Sequence, residues 1–337
     1  MNKTILFLYI FLTSFGFSQI KQLNKNKCYE NGNKTKKFTE WECGKTAGVV
    51  DCNEKIEFDE RSKTFLSSSG GKPYTGACET CFENGIRERK ITFINGKEHG
   101  SDTTKYFSGC PMVIRNHIEG FENGTWTYFY DSTNLVAWEM NFLVGQKNGK
   151  HIYFNKNGDT TLLEYYKNDK LNGVKRMFYK SGAVHRAISY TDGIMNGPFL
   201  SYNKEGKLLE KLNYKLGHKD GTQTYYYDDG ILLKTENWTN DIKNGSFTTY
   251  YYQGFVQTLE NYKKGVKEGW FEEYFPNKRM KLRSLYKKGV LIEEHEFNEK
   301  GKEIRTFPEV IKEKESEDDD IEEEVGKKKN KKKKKED

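Results

Sequence analysis

Glycine and aromatic residues recur along this chain with a fixed period. Nine glycines are spaced by 24 residues, with one step of 25: Gly76, Gly100, Gly124, Gly149, Gly173, Gly197, Gly221, Gly245 and Gly269. We call them marker glycines and number each unit from its marker, so that position 5 lies five residues after it. A period of this length indicates a repeat array, in which each unit packs against its neighbours.

Two positions of the unit are aromatic in most copies. Position 5 is occupied by Phe129, Phe154, Phe178, Tyr202, Tyr226, Tyr250 and Tyr274. Position 17 is occupied by Tyr166, Tyr190, Tyr214, Trp238, Tyr262 and Tyr286, with Phe142 one residue further on in the longer unit. Aromatic side chains suit a pleated sheet, so both positions are predicted to lie on strands and to form the core. We expect the rings of one column to stack across adjacent strands, about 4.8 Å apart.

Glycine-containing turns separate the aromatic runs. Position 9 is glycine in seven of the nine units, and the second turn commonly ends in Asn-Gly, as at Asn148, Asn172, Asn196 and Asn244. Asparagine and glycine tolerate positive φ and close tight hairpins. The predicted fold is therefore all-β: an extended single-layer antiparallel β-meander of about nine 24-residue β-hairpins over residues 76–293, with two strands per unit.

The repeat resembles the repeat of a known protein family. The stretch "GSFTTYYYQGFVQTLENYKKGVKEG", from Gly245 to Gly269, is similar to the MORN-repeat variant of the bacterial YwqK-type antitoxin family, and the likeness covers roughly residues 74–293. MORN-like arrays act as scaffolds, dimerisation surfaces or lipid-surface binders. The antitoxin name implies neutralisation of a toxin by binding it.

The flanking segments break the period. Residues 1–18 contain an apolar run from Ile5 to Phe17, with Gly16 and Ser18 before Gln19, which predicts a signal peptide and export. That run is shorter than the roughly 20 residues that cross a bilayer, so no transmembrane segment is expected in the mature chain. We predict an N-terminal cap over residues 19–75 and a C-terminal extension over 294–311. A disordered tail is predicted over 312–337, where an acidic block precedes a lysine block.

All six cysteines lie in the first third of the chain: Cys28, Cys43, Cys52, Cys78, Cys81 and Cys110. In an exported protein they are expected to form disulfides. Cys78 and Cys81 are three residues apart on a predicted strand, about 10 Å between Cα atoms, which is too far for a bond between them. Both are therefore predicted to pair with cysteines of the cap. Zinc binding together with Cys43 and Cys52, and redox catalysis, are the alternatives.

The polar residues suggest no catalytic constellation. The six histidines occupy different positions of the unit, so no metal or catalytic cluster is predicted, and no cofactor is expected. Glu139, Glu164, Glu236 and Glu260 share position 15 and are interpreted as a solvated column of cross-strand pairs. Tyr128, Tyr153 and Tyr225 lie outside the two aromatic columns. We expect these three rings to be exposed candidate residues for binding a partner.

These observations lead to a functional hypothesis. We expect a non-enzymatic scaffold, exported to the periplasm or outer membrane, that binds another envelope or secreted protein, either a toxin or a subunit of an outer-membrane assembly or secretion complex. The alternative partner is an anionic envelope surface (lipid, lipopolysaccharide or cell-wall polymer), contacted through the basic tail and body. The chain carries a net charge of +7, which is too little to indicate nucleic acid as a partner.

Overall fold

The computed structural model describes residues 47–308, and these form one open sheet of 27 strands. Neighbouring strands in the repeat region are antiparallel and follow the order of the chain, so the predicted all-β meander is confirmed. One short helix and a separate two-stranded sheet lie in the chain between the first strand of this sheet and the repeat region. The predictions for residues 1–18 and 312–337, and for Cys28 and Cys43, concern parts of the chain outside the described residues.

The elements, in chain order, are β1 (Val49–Asp51), α1 (Cys52–Lys55), β2 (Ile56–Asp59), β3 (Thr64–Ser67), β4 (Gly76–Cys81), β5 (Arg87–Ile94), β6 (Lys97–Glu98), β7 (Gly100–Lys105), β8 (Pro111–Ile118), β9 (Phe121–Glu122), β10 (Gly124–Phe129), β11 (Val136–Leu143), β12 (Gln146–Lys147), β13 (Gly149–Phe154), β14 (Thr160–Lys167), β15 (Lys170–Leu171), β16 (Gly173–Phe178), β17 (Val184–Thr191), β18 (Ile194–Tyr202), β19 (Leu208–Lys215), β20 (His218–Lys219), β21 (Gly221–Tyr226), β22 (Leu232–Thr239), β23 (Ile242–Tyr250), β24 (Val256–Lys263), β25 (Val266–Lys267), β26 (Gly269–Tyr274), β27 (Met280–Lys287), β28 (Val290–Phe297) and β29 (Glu303–Phe307). Each two-residue strand continues into the strand that follows it, which gives two strands per unit.

The first turn of each unit is the one that the position-9 glycines predict. In the unit of Gly221, the N–H of Tyr227 donates to the carbonyl of Ile231 (2.8 Å) and the N–H of Gly230 donates to Tyr227 (2.9 Å). Gly230 has a φ of 92°, in the left-handed region that glycine adopts without a steric penalty. We call the edge of the sheet formed by these turns the long-turn rim.

The second turn lies four residues before the predicted Asn-Gly pairs. Leu143 pairs with Gln146, so Val144 and Gly145 form a two-residue turn, with φ values of 49° and 79°. Positive φ at both residues is the type I′ geometry, which matches the twist of antiparallel strands. The prediction that Asn148 and its equivalents close this turn is therefore wrong, because they belong to the strand that follows. We call this edge the short-turn rim.

The marker glycines sit instead at a bulge. Between the pairs Phe142–Lys147 and Glu139–Ile152, the later strand has two residues more than its partner. A Cβ placed on Gly245 would lie 3.0 Å from the Cβ of Asn237, and Gly245 has a φ of 112°, so glycine is required there. The Asn237 amide crosses the bulge and donates to the carbonyl of Ser246 at 2.7 Å.

The same bulge-spanning asparagine recurs at position 16. It donates from its side chain to the carbonyl at position 1 of the next unit at Asn116, Asn213, Asn237 and Asn261, and at Asn141, which is position 17 in the longer unit. A carbonyl left without a strand partner by the bulge is thereby satisfied.

Both ends of the array differ from the repeat. At the first edge, β1 pairs in parallel with β4, and Phe65 packs on Phe93 with ring centroids 4.7 Å apart. At the other end, β28 and β29 form a further hairpin, so the sheet continues to Phe307 and residues 294–307 are not a separate extension. The sequence period ends at 293 because Glu293 occupies the marker position. The bulge at this position contains one extra residue rather than two, and a bulge of this size does not require glycine.

Candidate interaction surfaces

A ladder of rings lines one face of the sheet, which we call the ring face. It is built from position 17 and position 2, which alternate on successive strands. One run is His117–Trp126 (5.3 Å between ring centroids), Trp126–Phe142 (4.9 Å), Phe142–His151 (6.0 Å) and His151–Tyr166 (4.6 Å). Another is Trp238–Phe247 (5.3 Å), Phe247–Tyr262 (5.2 Å), Tyr262–Phe271 (5.4 Å) and Phe271–Tyr286 (4.8 Å).

This ladder corrects the expected stacking within single columns. Consecutive members of one column lie two strands apart, about 10 Å, so a residue of another column always stands between them. In the ring ladder, the residue between two position-17 side chains is a position-2 side chain on the intervening strand. Position 5 pairs with an aliphatic or small residue on the next strand, as Tyr226 does with Leu232 and Tyr250 with Val256. The position-5 side chains are half-buried.

Neighbouring units are joined through position 6, which the sequence did not single out. The tyrosine hydroxyls at this position donate to the position-5 carbonyl of the next unit at 2.8 Å: Tyr106 to Phe129, Tyr130 to Phe154, Tyr179 to Tyr202, and Tyr251 to Tyr274. These bonds fix one long turn against the next.

The three candidate partner-binding tyrosines are half-buried, contrary to the expectation that they are exposed. Tyr128 stacks on Trp138 with centroids 3.4 Å apart, and Tyr153 pairs across the strands with the same tryptophan. The Tyr225 ring lies 4.2 Å from the ammonium of Lys234. All three occupy position 4, where the pleat directs the side chain to the ring face. They contribute to the fold and offer little surface to a partner.

The expected glutamate column is divided between the two faces. Glu164 pairs across the strands with position 2, whereas Glu139 pairs with position 3, because the longer turn of its unit shifts the register by one residue. Glu164 is 5% exposed and accepts from the Lys175 ammonium (2.8 Å) and the Tyr166 hydroxyl (3.0 Å). It is a buried, paired carboxylate rather than a solvated one.

Polar side chains at position 2 close the bulge from the ring face. Trp126, His151 and Gln223 each donate to the carbonyl of the bulge-spanning asparagine of the preceding unit, at 3.1, 2.9 and 3.0 Å. His151 is fully buried, and its Nδ1 has no hydrogen-bond partner. Burial lowers the pKa of His151 below its ordinary value of 6.5, and the nearby Lys147 acts in the same direction.

Replacing His151 by glutamine should reduce the acid sensitivity of the fold. Below about pH 6.5 the unfolded chain takes up a proton at His151 that the folded chain resists, so the free energy of unfolding falls by at most about 1.4 kcal/mol per pH unit. Gln223 shows that glutamine makes the same hydrogen bond. Urea unfolding at pH 7 and pH 5 should show a smaller loss for His151→Gln than for the wild type. An equal loss would contradict this, and His185→Gln, at a site where the ring packs on Tyr179 without an ion pair among residues 47–308, is the control.

A buried charge network occupies the ring face near the first units. Asp102 accepts from Arg89 and Arg115, each at 2.8 Å, and Glu98 lies 3.1 Å from Arg89 and 3.2 Å from His117. Glu98, Asp102 and His117 are close enough to hold a metal ion. The two guanidinium groups already neutralise the two carboxylates, so the donor set fits a structural ion-pair network better than a cation site.

The cysteines connect the cap to the first repeats. Cys52 of α1 is bonded to Cys78 of β4, which is the kind of cap-to-repeat bond that the sequence predicts. Cys78 is fully buried in a cluster with Ile91 and Phe93. Cys81 and Cys110 are disulfide-bonded as well. The expectation that Cys78 does not bond to Cys81 is confirmed, since its partner is Cys52.

The short-turn rim carries most of the exposed large apolar side chains of the repeat region. They are 43–66% exposed: Ile94, Ile118, Phe121, Leu143, Val144, Ile194, Leu216, Ile242, Val266 and Val290. The position-21 side chain packs on the turn glycine of the next unit. A Cβ on Gly217 would lie 3.3 Å from Ile194, and one on Gly265 would lie 3.4 Å from Ile242. The rim is therefore a row of aliphatic groups held in order.

Comparisons with known proteins add little to this picture. No protein-family model and no curated protein matches the chain. Among solved structures, it is similar at 12% identity to a chain of the TcdB2-TccC3-Cdc42 crystal structure, over 66% of this chain and 16% of that one, with a TM-score of 0.13. It is also similar at 12% identity to a chain of the Photorhabdus luminescens Tc holotoxin pore with a TccC3 mutation, over 74% and 16%, with a TM-score of 0.16. The chain spans about a sixth of those chains, and such a likeness carries no argument about function. No helix among residues 47–308 is long and apolar enough to cross a membrane.

Proposed function

We propose that this protein is an exported, non-enzymatic scaffold that binds another protein of the bacterial envelope through its short-turn rim. The observation that carries the proposal is the row of exposed aliphatic side chains along this edge. Contiguous exposed apolar surface marks protein interaction sites, because water contact with it is unfavourable. The MORN-like repeat and the signal-like residues 1–18 support the same function. The Cys52–Cys78 bond is in keeping with an oxidising compartment.

The shape of the row favours a macromolecule over a small ligand. Its side chains recur in every unit except the one that begins at Gly149, and successive units lie about 10 Å apart along the sheet. Ile194, Leu216 and Ile242 belong to three successive units, and a partner that contacts all three must extend over about 20 Å. The hydrogen bonds between units hold these groups in place, so little order is lost on binding.

Affinity purification from envelope extracts with a rim variant tests this function. We expect Ile194→Ser/Leu216→Ser/Ile242→Ser to lose a partner that the wild type retains in 1 M salt, where the screening length is about 3 Å. Truncating a residue at the energetic centre of an interface typically costs 2 kcal/mol or more. The control is Phe107→Ser/Tyr252→Ser, which alters exposed rings of the long-turn rim. Equal recovery by the wild type and the rim variant would contradict the proposal.

A second candidate function is binding to an anionic envelope surface. It is favoured by exposed lysines on the short-turn rim at Lys263, Lys264, Lys287 and Lys288. The lysine-rich sequence of residues 327–335 favours it as well. Each lysine near a charged surface contributes about 1 kcal/mol at low salt. Binding that collapses in 1 M salt or on deletion of residues 312–337, while the rim variant still binds, would favour this second function.

A further inference from the structure

Two adjacent turns of the short-turn rim have the same four residues, Lys-Lys-Gly-Val, at 263–266 and 287–290. Each is a two-residue turn with positive φ at its second lysine and its glycine. They are consecutive along the rim, about 10 Å apart. They also touch, since a Cβ on Gly289 would lie 3.1 Å from Val266. We call these eight residues the KKGV patch.

The patch concentrates positive charge on side chains that form no ion pair within residues 47–308. All four of its lysines are exposed, and no ion pair within residues 47–308 involves them. The Glu268 carboxylate contacts the patch, but it accepts from the backbone N–H of Lys288. Val266 and Val290 are 44% and 61% exposed between the lysines. The patch therefore presents four ammonium groups around an aliphatic strip, which suits a segment that is acidic and contains aliphatic residues.

The last strand of the sheet points toward this patch. β29 runs antiparallel to β28 with Phe307 opposite Glu294, so the direction of β29 at Phe307 is toward Val290. Four residues of β28 separate Glu294 from Val290, about 13 Å. The six residues 309–314 span up to about 20 Å, which is sufficient to place the following segment on the patch.

The segment that follows has the matching chemistry. Residues 315–324, "ESEDDDIEEE", contain eight carboxylates and Ile321, and Val325 comes next. Extended, ten residues cover about 33 Å and so reach both turns. We infer that residues 315–324 dock on the KKGV patch of the same chain, with carboxylates on the four lysines and Ile321 on the valine strip. The short tether raises the effective concentration of the segment, so it competes with external anions for the patch.

Carbodiimide cross-linking of the full chain tests the contact. The reagent joins a carboxylate to a touching amine as an amide and leaves as its urea. Mass mapping should show links from residues 315–324 to the patch lysines Lys263, Lys264, Lys287 and Lys288, and these links should be lost in 1 M salt. With mixed isotope-labelled and unlabelled chains, the links should remain within one chain. Links that go mainly to Lys327–Lys335, or between chains, or evenly to all exposed lysines, would overturn the inference.

Proteolysis measures how much of the segment is docked. A glutamate-specific protease cuts the undocked segment, so the cleavage rate tracks the undocked population. Changing the four patch lysines to glutamine should speed cleavage at Glu322–Glu324 about tenfold at low salt. The matched control changes four exposed lysines of the long-turn rim to glutamine: Lys156, Lys180, Lys204 and Lys207. Equal cleavage rates in the wild type and the patch variant would overturn the inference. Both experiments use purified protein and do not depend on an envelope partner.

Discussion

Replacing Phe247 by alanine should lower the free energy of unfolding by about 3–5 kcal/mol. Phe247 is 8% exposed, and its ring lies between those of Trp238 and Tyr262, at centroid distances of 5.3 and 5.2 Å. The Lys243 ammonium covers it at 4.7 Å. A single-layer sheet has no second layer that can collapse into the resulting cavity, so the loss should be near the upper end of this range.

Urea unfolding of the wild type and Phe247→Ala measures the effect. In a repeat array each unit contacts only its neighbours, so hydrogen exchange should accelerate in β22–β26 before it does in β4–β8. Phe107→Ala is the matched control, because that ring is 62% exposed and its removal should cost less than about 1 kcal/mol. Similar losses for the two variants would show that the ring ladder does not hold the array together.

The sequence predicted the repeat and its strand content because the period is long and regular. It misplaced the second turn because the turn and the bulge both require positive φ, and glycine alone does not distinguish them. Gly145 closes the turn and Gly149 permits the bulge, four residues apart. The first turn residue gives no composition signal, since it is valine at Val144 and leucine at Leu216.

The position-2 half of the ring ladder was not predicted from the sequence, for a related reason. Position 2 is occupied by Trp126, His151, Gln223 and Phe247 among others, so no single chemistry marks it. Its common property is geometric: the side chain reaches the bulge or the neighbouring ring. Once the turn is misplaced, the apolar residues beside it are not recognised as rim residues. Their exposure became evident only from the pairing of the strands.

A one-residue insertion also explains why the glutamates at position 15 do not form one column on a single face of the sheet. The unit that begins at Gly124 is 25 residues long, and its extra residue lies in the long turn. Because side chains alternate between faces with a period of two, this insertion moves Glu139 to the face opposite Glu164. Counting residues from the marker glycine therefore fails after an insertion, whereas counting from the cross-strand pairs does not.

Removing the Cys52–Cys78 bond should lower the free energy of unfolding by roughly 3.5 kcal/mol, the loop-closure value for cysteines separated by 26 residues. The bond ties α1 to β4, and α1 directly follows β1, which pairs with β4 at the first edge of the sheet. Its loss should therefore release the N-terminal cap first. The variant Cys52→Ala/Cys78→Ala leaves neither a free thiol at these sites nor a buried hydroxyl in the cluster of Ile91 and Phe93.

Unfolding and hydrogen exchange together test this expectation. We expect β1, β4 and β5 to exchange faster in the double-alanine variant, while β21–β28 keep the wild-type rates, because units far along the array do not contact the cap. A loss below about 1 kcal/mol, or faster exchange spread evenly over the sheet, would show that the cap does not protect the first edge.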